Sequence, residues 1–428
     1  MPARPIGSLR DLPRRASGSH RRGAIERAIP ARELHKRAAE EPHRKLPPLA
    51  TFERSFFWWN WLKDYSAGVF RGQADFPRPG ESSIVEMPDS TNLAILGDWA
   101  TGTDEARIIA SIAGTPDYTI HIGDVYYVGS EEYIEENCLG IRQKNGYDPV
   151  KFPIGTRASF AMNGNHEAYA GDFAYFDWIS KHLNQPSSCF CLHNDHWAIL
   201  GLDTGYNSKG IPWLGWLGEQ LGWSWLMPSC TLPDAALEWI SMRLQPLVEG
   251  ERGLILLTHH QPFSAFDNEY PNTAKQLSGI RAFQNRKLLW LWGHEHRLAG
   301  YDLSVLKGLE LYGRCLGHGG MPVERGQAPR EDRSGRNLLF YDDRSYDPQI
   351  DPRGSGIVAR DTDFGVNGFA RLTLAGPTAT ISYVDISGAE IISESWRSSG
   401  GSLVPAGAWA TGPTVQMEGT RIVVGQTQ

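Results

Sequence analysis

The stretch "LAILGDWATG", residues 93–102, is an apolar run that stops at Asp98 and then turns on a glycine. Short apolar runs closed by polar, glycine-bearing turns read as buried strands. The same design recurs in "YTIHIGDVYY", "SFAMNGNHE", "HWAILGLDTG", "GLILLTHH" and "KLLWLWGHEH". Between the first two runs lies "TDEARIIASIAGTP", where Thr103 is placed to cap a helix, Asp104 and Glu105 fill its first turn, and Gly114 and Pro116 close it. Strand, helix and strand at this spacing predict a βαβ unit. Further on, "AALEWISMRLQPL" carries the 3.6-residue period of a core-facing helix just before "GLILLTHH". After Gly300 the pattern changes to shorter β segments, "LELYGRCLG", "GFARLTLAG" and "TATISYVDISG", interrupted by a long polar stretch from about 322 to 360. The expectation is an α/β fold in which a second sheet completes a sandwich.

Composition bounds the rest. A chain of 428 residues that is 41% hydrophobic can bury a sizeable core. Its longest apolar runs fall far short of the roughly 18 residues that a membrane span needs, and no apolar h-region opens the sequence, so a cytoplasmic protein without a transmembrane segment is expected. Residues 1–50 hold 12 Lys and Arg against 5 Asp and Glu, or +7, so the remainder carries −14 and the whole chain −7. This basic segment is poor in aromatics and is read as a disordered tail, either simply solvated or an arm for anionic partners. Residues 51–90 form an aromatic-rich extension containing "FFWWNWLKDY", 91–398 the main domain, and 399–428 a C-terminal tail. A second aromatic stretch, "IPWLGWLGEQLGWSWLMP", falls in a candidate lid insertion over 205–230. Five cysteines without a CxxC pair argue for buried thiols in a reducing compartment rather than a disulfide framework.

Five strand ends carry metal-ligand chemistry: Asp98, then Asp124 with Tyr127, Asn165 with His166, His259 with His260, and His294 with His296. Each alone is weak, since a Gly-Asp pair is usually a turn and a lone histidine is usually structural. Open α/β sheets bind ligands beyond the carboxyl ends of their strands, so residues far apart in sequence converge there.

In that order "GDW", "GDVYY", "GNHE", "LLTHH" and "GHEH" resemble the calcineurin-like metallophosphoesterase superfamily over about residues 91–300, and the family's C-terminal sheet implies an extension to about 396. The resemblance implies a sandwich of two mixed β-sheets flanked by helices, and a binuclear hydrolase of phosphate esters. Most members open with Asp-x-His, but Ala100 stands at the third position here, as in purple acid phosphatases. Those enzymes set a tyrosine three residues after the GD aspartate, the place of Tyr127. Carried over, one ion takes Asp98, Asp124, Tyr127 and His296, the other Asp124, Asn165, His259 and His294. A phenolate suits Fe³⁺ at the first position, and a nitrogen-rich set suits Zn²⁺, Mn²⁺ or Fe²⁺ at the second. In "LLTHHQPFS" family strings of the THH form favour His259 and an H-x-P form favours His260; His259 is taken as the ligand, and His260 as a residue behind the ligands or on the substrate side. A hydroxide held between the ions would attack phosphorus, with His166 as general acid and Glu167 fixing its imidazole. His318 and Arg297 are further candidates for substrate contact. The expected substrate is a small phosphorylated molecule, most simply a monoester. A phosphodiesterase and a metal-free scaffold remain as other readings.

Overall fold

The strand-helix-strand start of the main domain is the unit from which the rest is built. In the computed structural model, which describes residues 66, 68, 71–141, 150–209, 228–330, 337–344, 364–410, 415–418 and 421–424, strand β2 (Ser90–Leu96) leads into helix α1 (Asp104–Ala113) and then β3 (Tyr118–His121), parallel to β2. Thr103 Oγ1 accepts the Ala106 N–H at 3.3 Å, and Gly114 ends the helix at φ 67°, as the capping signals predict. Strand β4 (Ala158–Ala161) adds in parallel.

On the other side of β2, β12 (Gly368–Ala375), β13 (Thr378–Asp385), β14 (Glu390–Ser399) and β15 (Ser402–Ala410) follow in antiparallel order and complete a seven-stranded sheet, β15-β14-β13-β12-β2-β3-β4. The second sheet begins at its edge with β1 (Ile84–Glu86) and β5 (Phe190–His193). The parallel trio β6 (Trp197–Gly201), β7 (Gly253–Thr258) and β8 (Lys287–Trp292) forms its middle. It continues through β10 (Leu309–Leu316), β9 (Leu298–Leu306), β11 (Leu338–Asp342), β17 (Arg421–Val424) and β16 (Val415–Glu418).

Strand alternation explains why both sheets are apolar on both faces. Leu93, Ile95, Ile255, Leu257, Leu289 and Leu291 meet in the core between the sheets. Their neighbours Ala94 and Leu96 pack outward with Ile108 and Ile109 of α1, while Leu254, Leu256, Trp290 and Trp292 pack outward with Trp239, Ile240 and Leu244. The layers are therefore helix, sheet, sheet and helix, the two mixed sheets flanked by helices that the resemblance implied. The helix expected in "AALEWISMRLQPL" is present over Asp234–Val248, but it passes through a π turn at Ile240–Leu244 before Pro246, whose ring nitrogen has no proton to give the helix ladder.

The segment read as a tail, 399–428, supplies β15, β16 and β17. Leu403 is fully buried against the inter-sheet core, and Pro405 sits where a proline is tolerated, on an edge strand. A buried ion pair also ties the sheets together. Arg314 of β10 donates to both oxygens of Glu394 of β14 at 2.6 Å, and Tyr383 of β13 donates to the same carboxylate at 2.5 Å. Among the described residues no helix is long and apolar enough to cross a membrane. The basic segment, "FFWWNWLKDY", and most of the candidate lid (210–227) lie outside the described residues.

Candidate metal centre

The turns after β2, β3, β4, β7 and β8 converge where the two sheets face each other, and backbone bonds lock them together. The Asp98 N–H reaches the Gly123 carbonyl (3.3 Å), and Gly293 N–H reaches that of His259 (3.0 Å). Asp98, Asp124 and His294 are held at φ 53°, 74° and 65°, the left-handed region that side chains other than glycine rarely enter, so their directions are imposed by the surrounding fold. The glycines before the ligands are required by close approach. A Cβ on Gly164 would lie 2.1 Å from Asp124 Oδ1, and one on Gly293 would lie 2.5 Å from Asp98 Oδ2.

Within the cluster, His259 Nε2 lies 3.2 Å from Asp124 Oδ1, 3.1 Å from Asn165 Oδ1 and 3.3 Å from His294 Nδ1. His259 Nδ1 faces the Ile122 carbonyl at 3.1 Å. A carbonyl only accepts, so Nδ1 carries a proton, and Nε2 is the nitrogen turned toward the cluster. Asn165 Nδ2 donates to the Tyr169 hydroxyl at 2.9 Å, which turns the amide oxygen inward. On the other side His296 Nε2 stands 3.7 Å from Asp98 Oδ1. The Tyr126 hydroxyl lies 2.7 Å from Asp98 Oδ1, 3.1 Å from Asp124 Oδ2 and 3.0 Å from His296 Nε2.

The electrostatics ask for a cation. Asp98 and Asp124 are 0% and 1% exposed, and among the described residues neither is paired with a Lys or Arg. Burial pushes Asp98 up to about 7 against the pull of His259, with Asp124 adding to the rise. Burial acts on Asp124 as well, but His259, His166 and His294 hold it well below the usual carboxylate range. His259 reaches about 9 in spite of burial because Asp124 faces it, whereas burial takes His294 down to about 4 and His296 to about 3. Two buried carboxylates ringed by an amide oxygen, a phenol and imidazoles form a donor set that fits metal ions, and the groups Asp98, Asp124, His259 and His259, His260, His294 each bring their ligand atoms within 4.8 Å of one another.

Several expectations require correction. The tyrosine whose hydroxyl enters the cluster is Tyr126, not Tyr127. Ala100 and Val125 form a short parallel bridge, Val125 packs into the core, and the next side chain along an extended segment points to the opposite face. Tyr127 stands beside the site, its ring 6.5 Å from that of Tyr133 and its carbonyl accepting from His166 Nδ1 at 2.6 Å. That carbonyl, rather than Glu167, orients His166. Glu167 is buried and accepts the Gly164 N–H at 3.1 Å, bracing the turn that starts helix α2 (Asn165–Ala168). Arg297 turns away from the cluster. It is 3% exposed, donates to Glu324 (2.7 Å) and Gln327 (2.6 Å), and lies over the Phe266 ring. His318 is not at the rim. It is buried against β12, its imidazole close to Gly368 and its carbonyl accepting from Gly368 and Asn367. Sequence reasoning also missed Tyr169 and Thr204. The Thr204 Oγ1 meets both the backbone N–H and Nδ1 of His260 at 3.1 Å.

The two mixed sheets with flanking helices, and a group of metal-ligand side chains between their strand ends, are consistent with the calcineurin-like metallophosphoesterase fold. Residues 91–298 match the calcineurin-like phosphoesterase family, and this segment belongs to it. No curated protein matches the chain. Among solved structures the chain is similar to a dimetal phosphatase from Danio rerio (10% identity, 72% of this chain and 99% of that one, TM-score 0.42). It is also similar to PhoD (12%, 80% and 75%, 0.41) and to GAP50, the anchor in the inner membrane complex of Plasmodium (13%, 71% and 87%, 0.41).

Proposed function

We propose that the protein is a phosphomonoesterase with a binuclear centre of the purple acid phosphatase kind. The observation that carries the reading is the meeting of Asp98, Asp124, Asn165, His259, His294 and His296, delivered by five strand ends of two sheets, around two buried carboxylates without a Lys or Arg partner among the described residues. Asp98, Asp124, Tyr126 and His296 would hold one ion, and Asp124, Asn165, His259 and His294 the other. Tyr126 replaces Tyr127 in this assignment because its hydroxyl is the one within 3.1 Å of both carboxylates. Its phenolate suits Fe³⁺, and the nitrogen-rich set suits Zn²⁺, Mn²⁺ or Fe²⁺. When bound, such ions polarise phosphoryl oxygens and make water a nucleophile at neutral pH.

His166 supplies the proton. Its Nδ1–H is anchored on the Tyr127 carbonyl, which leaves Nε2 facing the cluster 3.8 Å from Asp124 Oδ2, and its side chain is 20% exposed, open enough to meet a leaving group. The acidic body, apart from the basic first 50 residues, favours a small phosphorylated substrate over a nucleic acid. The test is kcat/KM on p-nitrophenyl phosphate and bis-p-nitrophenyl phosphate after reconstitution with iron plus zinc or manganese. A strong monoester preference is expected, and a diester preference would overturn the assignment. With iron bound, Tyr126→Phe should abolish the visible charge-transfer band while Tyr127→Phe keeps it. The reverse pattern restores Tyr127.

A further inference from the structure

We propose that His260 is an additional ligand, so that the nitrogen-rich position is a three-imidazole site formed by His259, His260 and His294; the proposal rests on the binuclear reading above. These residues bring ligand nitrogens within 4.8 Å of one another, with ring centroids 4.8 Å apart for His259 and His260 and 4.7 Å for His260 and His294. His260 is 3% exposed, so its imidazole belongs to the interior of the site and not to the solvent. Its backing repeats that of His259. In His259 the Nδ1–H is spent on the Ile122 carbonyl and Nε2 faces the ligands. In His260 the Thr204 hydroxyl stands 3.1 Å from Nδ1 and is itself fixed by the His260 backbone N–H at 3.1 Å. In the proposed site this hydroxyl, which can donate as well as accept, takes the Nδ1–H, so that Nε2 keeps its lone pair. An oxygen partner behind one ring nitrogen is the usual way a protein fixes the tautomer of a metal-bound histidine. Tyr270 packs its ring 5.1 Å from His260 and 5.7 Å from His294, covering this side.

The consequence is metal choice. Imidazole nitrogen favours Zn²⁺, whereas Mn²⁺ prefers oxygen donors, so a third imidazole widens the gap between the two. The experiment titrates the chelator-stripped full chain with ZnCl₂ and with MnCl₂ by calorimetry, for the wild type, His260→Ala and Thr204→Val. X-ray absorption at one equivalent of zinc counts the imidazoles. Three imidazoles are expected in the wild type. His260→Ala should weaken zinc binding by at least the roughly 10- to 100-fold that loss of an outer hydrogen-bond partner costs, and Thr204→Val should fall within that range. Manganese binding should change less in both. Two imidazoles on zinc, or variants that bind zinc like the wild type, would overturn the role of His260 and leave the binuclear reading standing. A wild type that binds no zinc would overturn both. The imidazole count and Thr204→Val decide the matter if His260→Ala does not fold.

Discussion

His166 and His121 are both imidazoles close to the Asp98–Asp124 cluster, and the groups around them give them opposite uses. His166 has its Nδ1 on a carbonyl and its Nε2 toward Asp124, so it is oriented without being buried away from solvent. His166→Asn should lower turnover by roughly 100-fold or more while bound metal, read by elemental analysis, stays constant. Lost metal would make His166 a ligand instead. His121 is fully buried within a box of Trp99, Phe152 and Trp178, at ring distances of 6.2, 6.0 and 6.4 Å, and neither ring nitrogen has a partner among the described residues. Burial takes it down to about 3. An unfolded histidine titrates near 6.5, so between about 6.5 and 3 the unfolded chain binds the extra proton. Its contribution to stability is therefore lost as pH falls through that window, by up to about 1.4 kcal/mol per pH unit. His121→Leu removes the unpartnered polar group and should stabilise the metal-free protein by about 1 kcal/mol at pH 7.5, with a larger gain at pH 5.5, in urea titrations. An equal gain at both pH values would refute the titration argument.

Strands and helices were the most legible level, because capping and burial leave local marks. Thr103 and Gly114 delimit α1 as their residue types demand, and each of the six apolar runs that end in polar turns contains a strand. What could not be read was pairing that depends on distant partners. The strand β15 carries Pro405 and a register shift opposite Ser395 and Trp396, so its alternation is broken and its identity comes from pairing with β14. The site shows the same division. The ligand types and their order are written at strand ends, but which of two adjacent tyrosines faces the cluster is set by a two-residue bridge between turns, Ala100 to Val125. Arg297 misled for a related reason, since its acceptors Glu324 and Gln327 lie about 30 residues away in a stretch read only as polar. The link between β10 and β14 yields an element-level prediction. Glu394→Ala leaves Arg314 buried without its carboxylate and should cost about 3–5 kcal/mol, whereas an apolar replacement of both partners should cost much less. Denaturant midpoints of the single and double variants decide this; equal losses would mean that packing, not charge, holds the sheets together there.

At the scale of the whole molecule the cluster belongs to neither sheet alone. Asp98, Asp124 and Asn165 stand on the turns after β2, β3 and β4 of the seven-stranded sheet, and His259, His294 and His296 on those after β7 and β8 of the ten-stranded sheet. Ions held by both sets would therefore fasten the sheets to each other and offset the two carboxylates buried on the seven-stranded sheet. Binding to the folded form alone stabilises it by about 2.7 kcal/mol at a free metal concentration one hundred times Kd. Chelation should lower the thermal midpoint accordingly, and restored metal should raise it again. Hydrogen exchange separates this from a local effect. If the ions clamp the sheets, their removal speeds exchange in the turns at 97–100 and 123–126 and equally in those at 258–260 and 293–297. A change confined to one sheet would show that ligands from that sheet suffice, and that the opposite sheet is held by its apolar core without help from the site.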